Sequence, residues 1–74
     1  MADIKVIIPA FNEGDSIAKV IEEVPDFVSE IIVVNNNSTD DTFEKAKKAG
    51  ATVLTETRKG YGHACLCGLH YIDK

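Results

Sequence analysis

The sequence predicts an α/β fold built on a parallel sheet, with its elements in the order β-α-β-α-β-α. Three observations lead there. Short, β-branched apolar runs occur at 4–8, 31–34 and 52–56; a polar turn follows each run; and a segment of helical character follows each turn. Strands and helices alternating at this spacing need crossover connections, which within one sheet are right-handed and leave the strands parallel. Ligands of such sheets bind outside the carboxyl ends of the strands. All three polar turns fall on that edge, and a site is expected there.

The first unit opens with Ile-Lys-Val-Ile-Ile at 4–8, which suits a strand buried on both faces. Pro9 is expected to end it, because proline has no N–H to give to a ladder. Asn12-Glu13-Gly14-Asp15-Ser16 supplies turn and capping chemistry. Ile17, Val20, Ile21 and Val24 then follow the spacing of a core-facing helix, and Pro25 marks its end. In the second unit Ile31 to Val34 is an unbroken apolar strand and Asn35-Asn36-Asn37 a polar turn. Ser38 or Thr39 is expected to cap the next helix, with Asp40 and Asp41 in its first turn at the positive end of the helix dipole. Lys45, Lys47 and Lys48 load the other end, and Gly50 reads as the left-handed stop. The third unit has a strand from Thr52 to Glu56, a loop from Arg58 to Gly62, and a helix from about His63 onward.

Composition narrows the function classes. The chain has 74 residues, 45% of them hydrophobic and 27% charged, with 12 acidic against 8 basic side chains and a net charge of −4. One domain, 1–74, is expected. The acidic balance speaks against a nucleic-acid binder, which needs a basic face to displace counterions from phosphates. It leaves room for a mononucleotide, for which a few backbone N–H groups and one or two cations suffice. No stretch approaches the ~20 apolar residues of a membrane span, and the N-terminus lacks the basic-then-apolar plan of a signal peptide. Met1, running almost directly into a strand, reads as the natural start of a cytoplasmic protein. Cys65 and Cys67 are too close for an easy disulfide and read as reduced thiols.

The polar turns carry the candidate chemistry. The first reads Pro9-Ala10-Phe11-Asn12-Glu13. A carboxylate just past a strand can hold a ribose hydroxyl while the neighbouring ring lies against a base. Equally, Asn12 and Glu13 can simply cap the helix while Phe11 packs. The second turn, Asn35-Asn36-Asn37-Ser38-Thr39-Asp40, offers amide donors and acceptors for a base edge, although asparagine runs also occur in turns because they tolerate the left-handed region. The third, Arg58-Lys59-Gly60-Tyr61-Gly62, sets two cations and two glycines before a helix, and such a loop can cradle phosphate. It lacks the spacing and terminal Lys-Ser/Thr of a Walker loop. A rival cluster lies further on: His63, Cys67 and His70 share one helical face, with Cys65 between them, and can hold zinc. The weightier reading of that segment is core packing, with cysteine as a small buried hydrophobe.

Taken together, VIIPAFNEGDSI, EIIVVNNNSTDDT and RKGYGHACLCGL resemble the GT-A family-2 glycosyltransferases, above all the polyprenyl-phosphate sugar transferases of the dolichol-phosphate mannose synthase kind. The likeness covers nearly the whole chain. It implies the N-terminal part of a Rossmann-like nucleotide-diphospho-sugar transferase domain, truncated before the family's Asp-x-Asp motif. In that family the first two turns hold the nucleoside of a sugar nucleotide. The resemblance therefore implies nucleotide contacts at Pro9, Phe11 and Glu13, with Glu13 on the ribose, and at Val34 and Asn36, with Asn36 reading the base. Arg58, Lys59 and Gly60 fall in the loop that borders the nucleotide and diphosphate.

The departures from the family pattern are informative. The family writes Asp-Asp-Gly-Ser where this chain has Asn35-Asn36-Asn37-Ser38, which removes charge, keeps acceptor oxygens and adds donors. Phe11 stands where tyrosine is frequent. Asp40-Asp41 are consecutive, belong to a helix start and are no Asp-x-Asp. The expectation is that these residues alone hold no metal and contain no catalytic residue, whereas Mg²⁺ or Mn²⁺ serves the full-length enzyme as partner of the leaving diphosphate. For the parent protein the resemblance implies inverting transfer of a hexose from a UDP- or GDP-sugar to a polyprenyl phosphate, at the cytoplasmic membrane face, or to a glycan. Two readings from other classes stand beside it: a stand-alone nucleotide-binding module, and a homo-oligomer formed through an exposed strand edge.

Overall fold

Residues 3–73 are described by a computed structural model; Met1, read above as the natural start, lies outside the described residues. Strands β1 (Lys5–Ala10), β2 (Glu30–Asn35) and β3 (Thr52–Thr55) form one parallel sheet in the order β1-β2-β3. Helices α1 (Ile17–Glu22), α2 (Thr42–Lys48) and α3 (Tyr61–Ile72) alternate with them as the sequence predicts. The composition of β2 explains its central place. Ile32, Val33 and Val34 are fully buried, and side chains of this kind each contribute ~1.5–3 kcal/mol when removed from water. Successive residues face opposite sides: Val33 packs with Ile17 and Ile21 of α1 and Ala46 of α2, while Ile32 and Val34 pack with Ala64 and Cys67 of α3. A sheet covered on both faces needs this continuous apolar run.

Several boundaries differ from expectation. Pro9 does not end β1 but lies within it, opposite Val34. The Asn36 N–H donates to the Ala10 carbonyl, so by alternation the Pro9 nitrogen faces the side of β1 away from β2, where no ladder bond is lost. Helix α1 stops at Glu22, short of Val24; one short turn-and-a-half aims Ile17 and Ile21 at the sheet and leaves Val20 41% exposed. Helix α2 begins at Thr42, with Asp41 rather than Ser38 or Thr39 at the cap position, and Asp40 and Asp41 precede its first turn. Ser38 and Thr39 are bound to Asn12 instead. Strand β3 ends at Thr55 and α3 begins at Tyr61, two residues before His63, with Gly60 at φ 106 as its cap position. Gly50, at φ 98, is the left-handed stop of α2 as expected.

Helix α3 is fastened to the sheet at two places. A Cβ on Gly68 would lie 2.7 Å from Cγ2 of Ile7, so the missing side chain sets how closely α3 approaches β1. At the amino ends of the strands, Glu30 accepts hydrogen bonds from the hydroxyls of Tyr71 and Thr52, both at 2.8 Å, and pairs with Lys5 at 3.4 Å. Both cysteines are free thiols. Cys67 packs against the α3 face of the sheet, but Cys65 is exposed rather than buried, because it sits on the outer side of the helix. Among the described residues no helix is long and apolar enough to cross a membrane.

Candidate functional site

Three loops meet at the carboxyl ends of the strands, and polar bonds between them set their positions. The first follows β1. Asn12 takes the left-handed conformation at φ 51; its N–H donates to Ser38 Oγ (2.9 Å) and its Oδ1 accepts the Thr39 N–H (2.8 Å). The next two N–H groups are also taken across the cleft edge: Glu13 donates to Thr42 Oγ1 at the start of α2 (2.9 Å) and Gly14 to Asp40 Oδ2 of the second loop (3.1 Å). The Thr42 hydroxyl in turn donates to Asp40 Oδ1. These bonds, led by the one from the Thr42 hydroxyl, hold the Asp40 carboxyl below its ordinary pKa. A Cβ on Gly14 would stand 2.9 Å from an oxygen of Asp40 and closer still to one of Asp41, so a side chain there would have to displace these carboxylates.

The three asparagines of the second loop divide the work. Asn35 closes the turn, its Oδ1 accepting the Ser38 N–H at 3.3 Å. Asn37 supplies the left-handed position at φ 64. Asn36, 5% exposed, reaches into the third loop: Nδ2 donates to the carbonyls of Glu56 (3.1 Å) and Arg58 (2.7 Å), and Oδ1 accepts the Gly60 N–H (3.1 Å). Glu56 grips the same loop from its other side. It accepts the Arg58 N–H (2.8 Å), Nε (3.1 Å) and a terminal guanidinium nitrogen (2.7 Å). The Arg58 side chain, then its backbone N–H, holds the Glu56 carboxyl down at about 2. The His63 ring donates from Nδ1 to the Lys59 carbonyl at 2.9 Å, which fixes the tautomer and finishes the turn into α3.

Between the loops lies an open cleft of about 320 Å³ lined by Phe11, Asn36, Lys59, Gly60 and Tyr61. Phe11 and Tyr61 are 49% and 58% exposed, so two aromatic rings border the cleft without being used up in the core. The N-terminus of α3 opens beside it, where N–H groups and the helix dipole favour an anion. Lys59 has no ion-pair partner within 4.0 Å among the described residues.

The structure thus brings four of the expected residues together: Phe11, Asn36, Lys59 and Gly60. Pro9 and Val34 lie side by side in the sheet, and Val34 is fully buried, so it backs the sheet and offers a ligand no surface. Glu13 stands outside the cleft lining; its backbone carbonyl starts α1 by accepting the N–H groups of Ser16 and Ile17, and its carboxylate accepts the Ser16 hydroxyl. Arg58 corrects the phosphate-cradle expectation. Its guanidinium is clamped to Glu56, which leaves Lys59 as the cation at the cleft. Tyr61 was missed by the sequence reasoning; an aromatic ring between two glycines at a helix start, outside any apolar stripe, was the available signal.

The paired carboxylates of the second loop, Asp40 and Asp41, are both engaged within the protein. Both oxygens of Asp40 accept hydrogen bonds from Gly14 and Thr42, and Asp41 pairs with Lys45 at 3.3 Å. The zinc reading finds no geometric support: the His63 ring is turned back onto Lys59, and no three His, Cys, Asp or Glu side chains among the described residues form a metal-binding group.

Known proteins match this chain in sequence and in fold. The sequence profile of glycosyl transferase family 2 matches residues 5–74. An uncharacterized glycosyltransferase of Mycobacterium tuberculosis is 41% identical over 66 residues, which make up 89% of this chain and 30% of the relative. Protein RfbJ of Shigella flexneri is 46% identical over 63 residues, 82% of this chain and 49% of the relative. Among solved structures, glucosyl-3-phosphoglycerate synthase of Mycobacterium tuberculosis superposes with a TM-score of 0.82 at 34% identity, over 93% of this chain and 29% of that one. That crystal holds Mn²⁺, UDP-glucose and glycerol 3-phosphate, and another crystal of the same enzyme holds Mg²⁺ and UDP. The chain therefore spans less than half the length of each of these proteins.

Proposed function

The chain belongs to glycosyl transferase family 2 and has its GT-A fold, and from that premise we propose that it is the nucleotide-holding part of a transferase that moves a hexose from a UDP-sugar to an acceptor. The observation that carries this reading is the convergence of Phe11, Lys59, Gly60 and Tyr61 on one cleft at the carboxyl edge of a parallel sheet. Two exposed aromatic rings at one cleft suit a flat base. The α3 N-terminus and Lys59 suit a diphosphate; a ribose contact by Glu13, which stands outside the cleft lining, rests on the family resemblance alone. UDP is favoured over GDP because UDP and UDP-glucose occupy the structural relative. A divalent cation, Mg²⁺ or Mn²⁺, would neutralise the diphosphate in the whole transferase, and the part of this chain is to orient the nucleotide. The polyprenyl phosphate acceptor and a place at the cytoplasmic membrane face rest on the subfamily resemblance alone.

Calorimetric titration of the protein with UDP and with GDP tests the reading. UDP is expected to bind, and Phe11→Ala and Lys59→Ala to weaken it. Absence of binding by either nucleotide would overturn the proposal.

A further inference from the structure

We infer that this chain pairs with a second copy of itself along the outer edge of β1, in a twofold dimer whose two α3 helices lie side by side. The observation behind this is a mismatch between the sequence of β1 and its place. Val6, Ile7, Ile8 and Pro9 are apolar without a break, which suits a strand with neighbours on both sides. Yet β1 ends the sheet, and all four stay only half-buried. Helix α3 overhangs the same edge. It touches β1 through Gly68 and β2 through Ala64 and Cys67. Tyr71 shares the Glu30 carboxylate with Thr52 of β3 and so marks the β3 side of the helix. By helical spacing Cys65 and Leu69 then point past β1; Cys65 is exposed and Leu69 is 54% exposed. The bare edge and this helix flank make one apolar face.

That edge is complementary to itself. The carbonyls of Ile4 and Ala10 accept from Ser29 and Asn36 and so face β2; by alternation Lys5, Ile7 and Pro9 turn their backbone groups outward. With a twofold axis at Ile7, the two Ile7 residues exchange both N–H···O=C bonds. Each Lys5 N–H then donates to the Pro9 carbonyl of the other copy. The one group left over is the Lys5 carbonyl, opposite a proline nitrogen without hydrogen, and Lys5 is exposed to water. Ile7, Gly68 and Leu69, the residues nearest the axis, are uncharged, and the Lys5 amine is held by Glu30. Like charges therefore do not meet there.

Size sets the strength. A helix seated over β1 and β2 comes within about 10 Å of its twofold mate, the spacing of packed helices. The shared face is about 20 Å long, one short strand and one helix deep, which suits a dissociation constant on the order of 10 μM. The other edge of the sheet is guarded: β3 has four residues, and the Glu56–Arg58 pair puts charge at its end, features that discourage strand pairing.

Sedimentation of the chain from about 10 to about 500 μM tests the dimer, and amide hydrogen exchange over the same range locates it. A monomer–dimer equilibrium is expected. The Ile7 amide should exchange about fivefold more slowly at the highest concentration than at the lowest, while the outward amides of Val53 and Thr55 on β3 do not change. Leu69→Glu, which sets two carboxylates against each other at the axis, should weaken the dimer at least tenfold. Thr55→Glu, on the other edge, should leave it as in the parent. A chain that stays monomeric throughout overturns the inference, and so does a dimer that protects Val53 and Thr55 instead of Ile7 or is indifferent to Leu69→Glu. A strand of a longer polypeptide lying on β1 would give a monomer with Ile7 protected at every concentration, which also overturns it.

Discussion

The two ends of the sheet each hold a glutamate with a lowered pKa, and the two are fastened in opposite ways. At the amino end, Glu30 of β2 gathers Lys5 from β1, Thr52 from β3 and Tyr71 from α3, so one carboxylate joins four elements. The bond from Tyr71 is the main cause of its lowered pKa, and the same bond raises that of the tyrosine. At the carboxyl end, Glu56 takes its partner from only two residues away, and the bonds between loops are shared among Asn36, Thr42, Asn12, Ser38 and Asp40. With Glu56 and Arg58 spent on each other, Lys59, Phe11 and Tyr61 stay uncommitted around the cleft. The amino end closes on itself; the carboxyl end keeps a vacant cation and two rings for a ligand.

That contrast makes its strongest forecast in binding. Phe11→Ala and Lys59→Ala should each weaken UDP about tenfold, and together about a hundredfold, with the melting temperature unchanged. Tyr71→Phe should do the reverse, lowering the melting temperature by a few degrees and leaving UDP affinity where it was. Calorimetry and thermal denaturation of the three variants decide it: if Tyr71→Phe weakens UDP as much as Lys59→Ala does, the two ends are not separate in function.

Two glycines grade the same contrast further. Gly14→Ala forces a methyl group against Asp40 and Asp41, and Asp40 is held by Thr42 and cannot swing away freely. A loss of about 2 kcal/mol in denaturant unfolding is expected, accompanied by weaker UDP binding because the first loop is displaced. Gly68→Ala also meets a close neighbour, Ile7, but the obstacle is a side chain on the far side of the sheet from α1 and α2. Overpacking is partly offset by the helix propensity of alanine, for a net loss of about 1 kcal/mol. UDP affinity should stay unchanged in that variant, since α3 is displaced below the cleft.

How much of this could be read in the sequence depended on the range of the interaction. The parallel sheet was legible because Ile31 to Val34 is too apolar for any but a central strand, and Gly50 because a helix stop is a local event. The edge position of Pro9 was not, since nothing near it says which side of β1 carries a neighbour. Phe11, Lys59 and Gly60 were found as parts of local loop motifs. The fate of Arg58 and Asn36 was hidden: the first depends on the rotamer of Glu56, the second on two carbonyls that lie 20 and 22 residues away. Ser38 and Thr39 look like helix caps in isolation and become struts only when Asn12 is beside them.

The smallest expected effect is that of acid on the third loop. Glu56 titrates at about 2 instead of its ordinary 4.5, because Arg58 donates to it from guanidinium and backbone. A carboxylate with a depressed pKa in the folded state contributes stability that is complete above the unfolded value and lost as pH falls toward the folded one. For Glu56 that window runs from about 4.5 down to about 2. Asp40 and Glu30 are lowered as well and lose their contributions in the same direction, so the global acid transition is shared and cannot be ascribed to one group. The local one can. In Glu56→Gln the Arg58 guanidinium loses its ionic partner, and amide exchange at Arg58 should become faster at neutral pH and lose its acid-dependent rise between pH 4.5 and 2, while the exchange of α1 amides follows the parent. If the acid-dependent rise at Arg58 is the same in variant and parent, the third loop is held by Asn36 alone and the Glu56 clamp adds nothing to it.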